Sequence, residues 1–202
     1  QTCALPILLI LPNGRRIGSI SGGCLEGDVC KKAWWFTEGG KPSVRIYDTS
    51  SDDDAVFEFG LGCNGVVHVL FERVDDAGTA EMLRFVQEAR TRRKAVAVAT
   101  VIGVSQDSGA PLGARLLFDA GGIRGGALAG TPLEAEALTH LRESFLGQKS
   151  HLAHLNSCDV FVEWIGPAPA LVVFGAGYDA QPLVHFADEL GWHVTVADRK
   201  ST

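Results

Sequence analysis

The chain has 202 residues, of which 46% are hydrophobic and 21% charged, a composition typical of a globular protein with a sizeable core. Eighteen Lys and Arg residues against 24 Asp and Glu residues give a net charge of −6, which argues against nucleic-acid binding through phosphate neutralisation. The apolar run at residues 4–11 is interrupted by Pro6 and is too short to span a bilayer, so we expect no membrane association.

The first part of the chain has the pattern of a hairpin, a helix and further strands. The dipeptide Asn13-Gly14 is a strong hairpin signal between two short apolar segments. A helix is predicted over residues 25–36, before a glycine pair. The strands predicted in this part are residues 8–12, 16–21, 44–47, 55–59 and 66–72. Two glycine-rich loops lie between these elements, at residues 22–24 and 60–65.

The rest of the chain continues with alternating helices and strands. An amphipathic helix is predicted over residues 79–93, and the nearly continuous apolar run at residues 95–101 is typical of a buried strand. A strand, a loop and a helix are predicted within residues 114–144, and another strand over residues 160–165. The proline-rich residues 166–169 then have the composition of an interdomain linker.

A weak internal repeat relates two parts of the chain. The first copy has Gly14, Gly18 and Gly23 before Leu25-Glu26, and the second has Gly121, Gly125 and Gly130 before Leu133-Glu134. Related strands follow each copy, at residues 69–74 and 160–165. The repeat predicts two similar halves that pack together, and the alternative is that two strand-to-helix turns share glycines through geometry alone. Because Thr131-Pro132 replaces the cysteine in the second copy, any functional thiol belongs to the first half.

The cysteines form no C-x-x-C pair, and a chain of this size needs no disulfide bonds. We therefore expect reduced thiols in a cytoplasmic protein. Cys30 and Cys158 lie among apolar residues and are predicted to belong to the core. Cys24 and Cys63 differ because each lies within a glycine-rich loop.

The glycine loops have the chemistry of a binding site. Gly22 and Gly23 leave backbone N–H groups free for an anion at a strand-to-helix junction, where the helix adds its positive end. We expect Cys24 at that junction to have a lowered pKa and to suit a soft metal as thiolate. The loop at residues 60–65 repeats the pattern around Cys63, and neither thiol has an obvious general base nearby. The alternative in both loops is a tight turn that accommodates a small residue.

The C-terminal segment carries a dinucleotide-binding pattern. Gly175 and Gly177 begin a G-x-G-x-x-A motif, and Asp198 stands where an acid contacts a ribose hydroxyl in dinucleotide enzymes. The elements predicted around the motif are a strand over residues 171–174, a helix over 179–190 and a strand over 193–197. Taken alone, the motif indicates NAD(P) binding, although the same turn can bind another phosphate or only pack a helix against a strand.

The runs GSISGGCLEGDV (residues 18–29) and GLGCNG (residues 60–65) resemble the two signature segments of the XdhC/CoxI family, and the resemblance continues through residues 162–198. This family comprises accessory proteins that mature molybdenum hydroxylases such as xanthine dehydrogenase. The expected fold class is α/β. A mixed-sheet domain with the internal repeat over residues 8–166 would precede the truncated start of a Rossmann-like domain over residues 170–198.

The resemblance implies a maturation chaperone rather than a turnover enzyme. Such a protein binds molybdenum cofactor (molybdopterin), assists its sulfuration with a cysteine desulfurase and delivers it to a xanthine dehydrogenase-type apoenzyme, as a homodimer. The cofactor-binding residues it implies are Gly22, Gly23, Cys24, Glu26, Gly62, Cys63, Gly65, Gly175 and Gly177, with Cys24 and Cys63 as metal contacts. The alternative is an NAD(P)-dependent oxidoreductase that uses the C-terminal motif, and a structural protein without a ligand is a third interpretation.

The sequence also departs from the family pattern. Asn64 replaces a glycine that usually follows the second cysteine, and Tyr178 stands where the family commonly has His. Residues 1–7 (QTCALPI) and 199–202 (RKST) resemble translated sequencing-adapter DNA, so we expect them to be non-native. The family segment before the first strand is expected to resemble residues 95–117, a strand and a loop that complete the sheet.

Overall fold

The computed structural model describes residues 7–20, 24–48, 66–105, 108–155 and 158–199, although only the backbone of Cys24. Within these ranges four α-helices and eleven β-strands form a mixed α/β fold, as the sequence predicts. The strand expected over residues 55–59 lies outside the described residues. None of the helices in the described ranges has the length and apolar character needed to cross a membrane.

The first half consists of a hairpin, a helix and a second pair of strands. Strands β1 (Leu8–Ile10) and β2 (Arg16–Gly18) are antiparallel and are followed by α1 (Cys24–Phe36). Strands β3 (Ser43–Asp48) and β4 (Val66–Phe71) form a second antiparallel pair. These elements agree with the predicted ones to within three residues at each end.

Helix α2 (Ala77–Thr91) leads into the second half, and its N-cap Asp76 accepts a hydrogen bond from the backbone N–H of Thr79 at 3.0 Å. The strands and the helix that follow are β5 (Val96–Val104), β6 (Arg115–Asp119), β7 (Gly122–Gly125), α3 (Glu134–Gly147), β8 (His151–Leu155) and β9 (Cys158–Ile165). The strands form one antiparallel sheet in the order β7-β6-β5-β9-β8. The predicted buried strand β5 therefore lies at the centre of this sheet, while β7 and β8 were not predicted.

Each half has its own apolar core. In the second half, α3 packs on the sheet, and Leu116, Leu141 and Val160 are completely buried. Burial of a side chain of this size contributes about 1.5–3 kcal/mol relative to exposure, so this core is the main source of stability in that half. The smaller first core includes Leu25 of α1 and Phe71 of β4.

The order of elements is the same in the two halves. The succession β1-β2-α1-β3-β4 corresponds to β6-β7-α3-β8-β9. The offset between equivalent residues is constant: Glu134 lies 108 residues after Glu26, and Gly126 lies 108 residues after Gly18. In the second half β5 pairs with both β6 and β9. Among the described residues of the first half, β1-β2 and β3-β4 remain two separate sheets. The topology thus agrees with the predicted internal repeat.

A glycine closes the hairpin of each half. Gly18 has a φ of +90°, and a Cβ added to it would lie 2.1 Å from the carbonyl oxygen of Ile7. Gly126 has a φ of +103°, and its added Cβ would lie 2.3 Å from the carbonyl oxygen of Arg115. Only glycine fits so close to a backbone carbonyl. The structural counterpart of Gly18 is therefore Gly126, one residue beyond the Gly125 that the glycine spacing suggested.

A buried ion pair joins the two halves. Glu72 follows β4, and its carboxylate accepts a hydrogen bond from the guanidinium of Arg115 at the start of β6. The same guanidinium donates from Nη1 to the carbonyl oxygen of Gly113 at 3.1 Å. The two side chains are only 12% and 6% exposed. Their charges are therefore largely removed from water and depend on each other for compensation.

The C-terminal segment forms one β-α-β unit. Strand β10 (Ala170–Phe174) is parallel to β11 (His193–Ala197), and α4 (Ala180–Glu189) connects them. Residues 166–169, before this unit, form neither helix nor strand. The three elements agree with the strand, helix and strand that the sequence predicts for this segment.

Candidate functional site

The structure describes both flanks of the first glycine loop. Ile20 lies before the loop, and Cys24 is the first residue of α1. Gly22 and Gly23, together with the side chain of Cys24, lie outside the described part of the chain. The prediction that the cysteine stands at a strand-to-helix junction is thus confirmed for its backbone position.

The side chain of Glu26 connects the two flanks. One of its carboxylate oxygens accepts hydrogen bonds from the Ser19 hydroxyl at 2.7 Å and from the Ile20 backbone N–H at 3.1 Å. Glu26 is only 4% exposed, so these charge-assisted bonds lie in a largely dry environment. The carboxylate therefore holds the entry of the loop against the first turn of α1. The sequence had suggested Glu26 as a cofactor-binding residue, whereas Ser19 and Ile20 were not singled out.

The second half uses a related contact. Glu134, the counterpart of Glu26, accepts a hydrogen bond from the backbone N–H of Gly130 at 2.5 Å. In both halves an acid in the first turn of a helix thus binds the chain that leads into that helix, which also suits the positive end of the helix. The repeated Leu-Glu dipeptide was the sequence signal for this contact.

The second turn of α1 is fixed to strand β3. The Tyr47 hydroxyl donates a hydrogen bond to Asp28 Oδ2 at 3.2 Å, and Lys32 Nζ lies 2.7 Å from Asp28 Oδ1. Burial first, and then the neighbouring Asp28 carboxylate, together raise the pKa of Tyr47 to about 12. Asp28 stands one helical turn after Cys24, so this buried contact anchors the end of α1 that carries the thiol.

The second glycine loop belongs to the segment between β3 and β4. Gly62, Cys63 and Gly65 lie outside the described residues. The register of the flanking strands pairs Asp48 with Val66, so the segment leaves and re-enters the first half at neighbouring points. Tyr47, next to one of those points, contacts the first turns of α1. Both cysteine-bearing segments therefore originate at the same end of the first half.

The C-terminal unit presents a groove at the carboxyl ends of its two parallel strands. Gly175 has a φ of +108°, and its N–H donates to the carbonyl oxygen of Ala197 at 2.8 Å. A Cβ on Gly177 would lie 2.7 Å from Asp179 Oδ1. The open groove has a volume of about 650 Å³, and its lining residues are Phe174, Gly175, Val196, Ala197, Asp198 and Arg199. Ligands of open α/β sheets bind at such strand ends.

The residues of these two regions fit different groups. A thiol at a helix N-terminus, as at Cys24, suits a soft metal, and the helix end suits an anionic phosphate; both groups are parts of molybdenum cofactor. The groove beside Gly175 has a glycine turn and an acid, Asp198, at the positions that a dinucleotide uses. The chemistry of each donor set is therefore compatible with the group that the sequence suggested for it.

Comparison with known proteins identifies the family of this chain. The model of the XdhC and CoxI family matches residues 7–48 and 89–156. A probable xanthine dehydrogenase subunit from Bacillus subtilis (strain 168) is 32% identical over 193 residues, which are 95% of this chain and 53% of that protein. A crystal structure described as a xanthine dehydrogenase from Bacillus halodurans is similar with a TM-score of 0.68 and 29% identity, over 94% of this chain and 51% of that one. The chain thus spans about half the length of these relatives, and it belongs to the XdhC and CoxI family.

Proposed function

We propose that this chain is an accessory protein of xanthine dehydrogenase. In this role the chain binds molybdenum cofactor and delivers it to a xanthine dehydrogenase-type apoenzyme. In this proposal it works with a cysteine desulfurase that supplies sulfur to the cofactor, and it is a maturation chaperone rather than a turnover enzyme. Family membership supports the accessory role.

The observation that carries the proposal is where the two related halves differ. The second half has Pro132 at the position of Cys24. In the second half, the connection between β8 and β9 consists of residues 156–157 alone. In the first half, the equivalent connection between β3 and β4 consists of residues 49–65, which include Cys63. The shared framework therefore differs at two places in the first half, by a replacement at Cys24 and by an insertion that includes Cys63, and each difference introduces a thiol within a glycine-rich run of the sequence.

The roles of the residues follow from their chemistry. In the proposed complex, backbone N–H groups of Gly22 and Gly23 bind the phosphate or the pterin, and Cys24 and Cys63 contact the metal. Glu26 keeps its hydrogen bonds to Ser19 and Ile20 and positions the loop rather than touching the metal. The cofactor itself supplies a molybdenum centre held by a dithiolene.

Cofactor content tests the proposal. The chain is purified from cells that make molybdenum cofactor, and bound pterin and molybdenum are measured by fluorescence after oxidation and by mass spectrometry. We expect Cys24→Ala and Cys63→Ser to lose most of both signals. The matched control is Cys30→Ser, on the same helix as Cys24 and half-buried, which should retain them. Equal cofactor content in the parent chain and the Cys24 and Cys63 variants would refute the site.

Delivery and assembly need a separate measurement. Chain loaded with cofactor is mixed with xanthine dehydrogenase apoenzyme, with and without a cysteine desulfurase and cysteine, and xanthine oxidation is followed. The proposal expects activity that depends on the loaded chain and rises with the desulfurase. The same samples, analysed by size-exclusion chromatography with light scattering, test the proposed homodimer.

The groove at β10 and β11 supports a second candidate function, NAD(P) binding by the C-terminal unit. Titration with NADH, monitored by its fluorescence, should show binding that Gly177→Val removes, because a larger side chain obstructs the approach of a pyrophosphate. Absence of NADH and NADPH binding to the parent chain would exclude this candidate and leave the first one unaffected.

A further inference from the structure

We propose that His140, Glu143 and His151 form a binding site for a Zn²⁺ ion. The site lies between α3 and the edge strand β8 of the second half, and it is independent of the proposed cofactor function. Each residue contributes one potential ligand atom, and the three atoms lie within 4.8 Å of one another. Two imidazole nitrogens and one carboxylate oxygen are a ligand set that zinc uses in proteins.

Two of the three spacings between the ligand atoms match a tetrahedral zinc site. His140 Nδ1 lies 3.3 Å from His151 Nε2 and 3.5 Å from Glu143 Oε2. Zinc binds nitrogen and oxygen ligands at about 2.0–2.1 Å, which places neighbouring ligand atoms of a tetrahedron roughly 3.3–3.4 Å apart. Both distances therefore fit the edges of a zinc tetrahedron, and the ligand atoms of the third pair, Glu143 and His151, lie within 4.8 Å of each other.

The hydrogen-bonding capacity of His140 Nδ1 also favours a cation between the three side chains. His140 Nδ1 faces both the carboxylate of Glu143 and the ring nitrogen of His151. A single proton on that nitrogen can be directed at only one of the two partners, and a neutral nitrogen without a proton would face the carboxylate with its lone pair. One metal ion between the three atoms satisfies all of them at once.

The backbone between the ligands is held in place. Ser144, which is 2% exposed, donates from its hydroxyl to the carbonyl oxygen of Lys149 at 2.7 Å. Gln148 has a φ of +52°, which reverses the chain at the end of α3. The Ser150 hydroxyl accepts a hydrogen bond from the backbone N–H of Trp164 on β9. The turn that brings His151 back towards α3 is thus fixed before any ion binds, which reduces the entropy cost of binding.

Exposure of the cluster gives the ion access from solvent. His140 is 29% exposed and Glu143 is 64% exposed. A zinc ion bound there would have three protein ligands and one position open to water. The first half offers no equivalent ligand set, because Lys32, Trp35 and Ser43 occupy the corresponding positions.

Cobalt titration of the whole chain tests the site. Co²⁺ replaces Zn²⁺, and a tetrahedral site of nitrogen and oxygen ligands gives intense visible absorption without the charge-transfer band that thiolate ligands add. We expect one Co²⁺ per chain with this spectrum, and its displacement by an equivalent of Zn²⁺. Glu143→Gln changes an exposed side chain that the fold does not need, and it should weaken binding by about tenfold or more. His151→Gln should do the same.

The matched control is His154→Ala, which removes a histidine from the same strand. His154 is 84% exposed and contacts Asp159 rather than the cluster, so metal affinity should stay unchanged. Three results would overturn the proposal: no bound cobalt, a spectrum dominated by thiolate charge transfer, or unchanged affinity in Glu143→Gln and His151→Gln. Loss of the visible bands in those two variants, with His154→Ala unaffected, would support it.

Discussion

Glu72 and Arg115 form the buried ion pair between the two halves, and we expect either single replacement to cost more stability than the double replacement. In Arg115→Met, the carboxylate of Glu72 keeps its burial and loses the guanidinium that compensates its charge. In Glu72→Leu, Arg115 retains only the bond to the carbonyl of Gly113. Breaking a buried pair in this way costs about 3–5 kcal/mol, a large part of the 5–15 kcal/mol that stabilises a typical domain.

The double variant Glu72→Leu/Arg115→Met should recover most of this loss. It removes both charges together, and well-packed apolar replacements of a buried pair are roughly neutral or stabilising. The decisive quantity is therefore the coupling between the two replacements, which should amount to several kcal/mol.

Urea unfolding followed by circular dichroism measures this coupling. With a slope of roughly 2 kcal/mol per molar urea, each single variant should lower the midpoint by roughly 2 M. The control is Arg124→Met, which breaks the more exposed pair of Arg124 with Asp119 and should cost less than about 1 kcal/mol. Additive costs of the two single replacements would refute the reasoning, because they would show that the charges do not depend on each other.

Three further predictions concern the first half and the hairpin glycines. The pKa of Tyr47 is about 12 when folded and 10.0 when unperturbed, so its contribution to stability is complete below pH 10 and is lost as the pH rises towards 12. The stability of Tyr47→Phe in urea should accordingly fall less over this range, and parallel pH profiles would contradict the assignment. Glu26→Gln should lower the free energy of unfolding by about 1–3 kcal/mol, because it weakens two hydrogen bonds, and Ser19→Ala should lower it by about 1 kcal/mol, because it removes one. Equal urea midpoints for these two variants would argue against Glu26 as the shared acceptor. Gly126→Ala should cost about 1–3 kcal/mol, because the new Cβ meets a carbonyl oxygen at a positive φ, and an unchanged melting temperature would disprove the close approach.

Sequence patterns predicted the elements whose signals are local. The C-terminal unit agrees closely with prediction because the glycine motif fixes the turn between β10 and α4, and apolar runs define both strands. Strand β7 was missed because its four residues, GIRG, include two glycines and have little strand propensity. Strand β8 was missed because the spacing of His151 and His154 also suits a helical face, although Ala153 and Leu155 alternate with more exposed residues as in a strand.

The candidate site was predicted only in part, because its supporting contacts connect residues that are distant along the chain. The glycine pattern placed Cys24 at the start of a helix, as found. The bonds from Ser19 and Ile20 to Glu26 cross the loop, and no periodic pattern marks such partners. The cluster of His140 with His151 depends on the turn between α3 and β8, so it required the fold rather than the sequence.

The internal repeat agrees with the proposal that the cofactor site lies in one half only. In the second half, the loop that corresponds to the first glycine loop is filled by its own chain. Leu128 is fully buried there, its N–H donates to the carbonyl of Arg115, and the N–H of Thr131 donates back to the carbonyl of Leu128. Backbone groups that bond to one another in this way are not free for a ligand. The first half retains the acid that holds the loop, and its Gly22 corresponds to Gly130. The sequences differ at Gly23, because its counterpart Thr131 has a hydroxyl that donates to the carbonyl oxygen of Leu128. The shared glutamate therefore serves the fold in both halves, and in the proposed function the difference between the halves lies in the loop residues beside it.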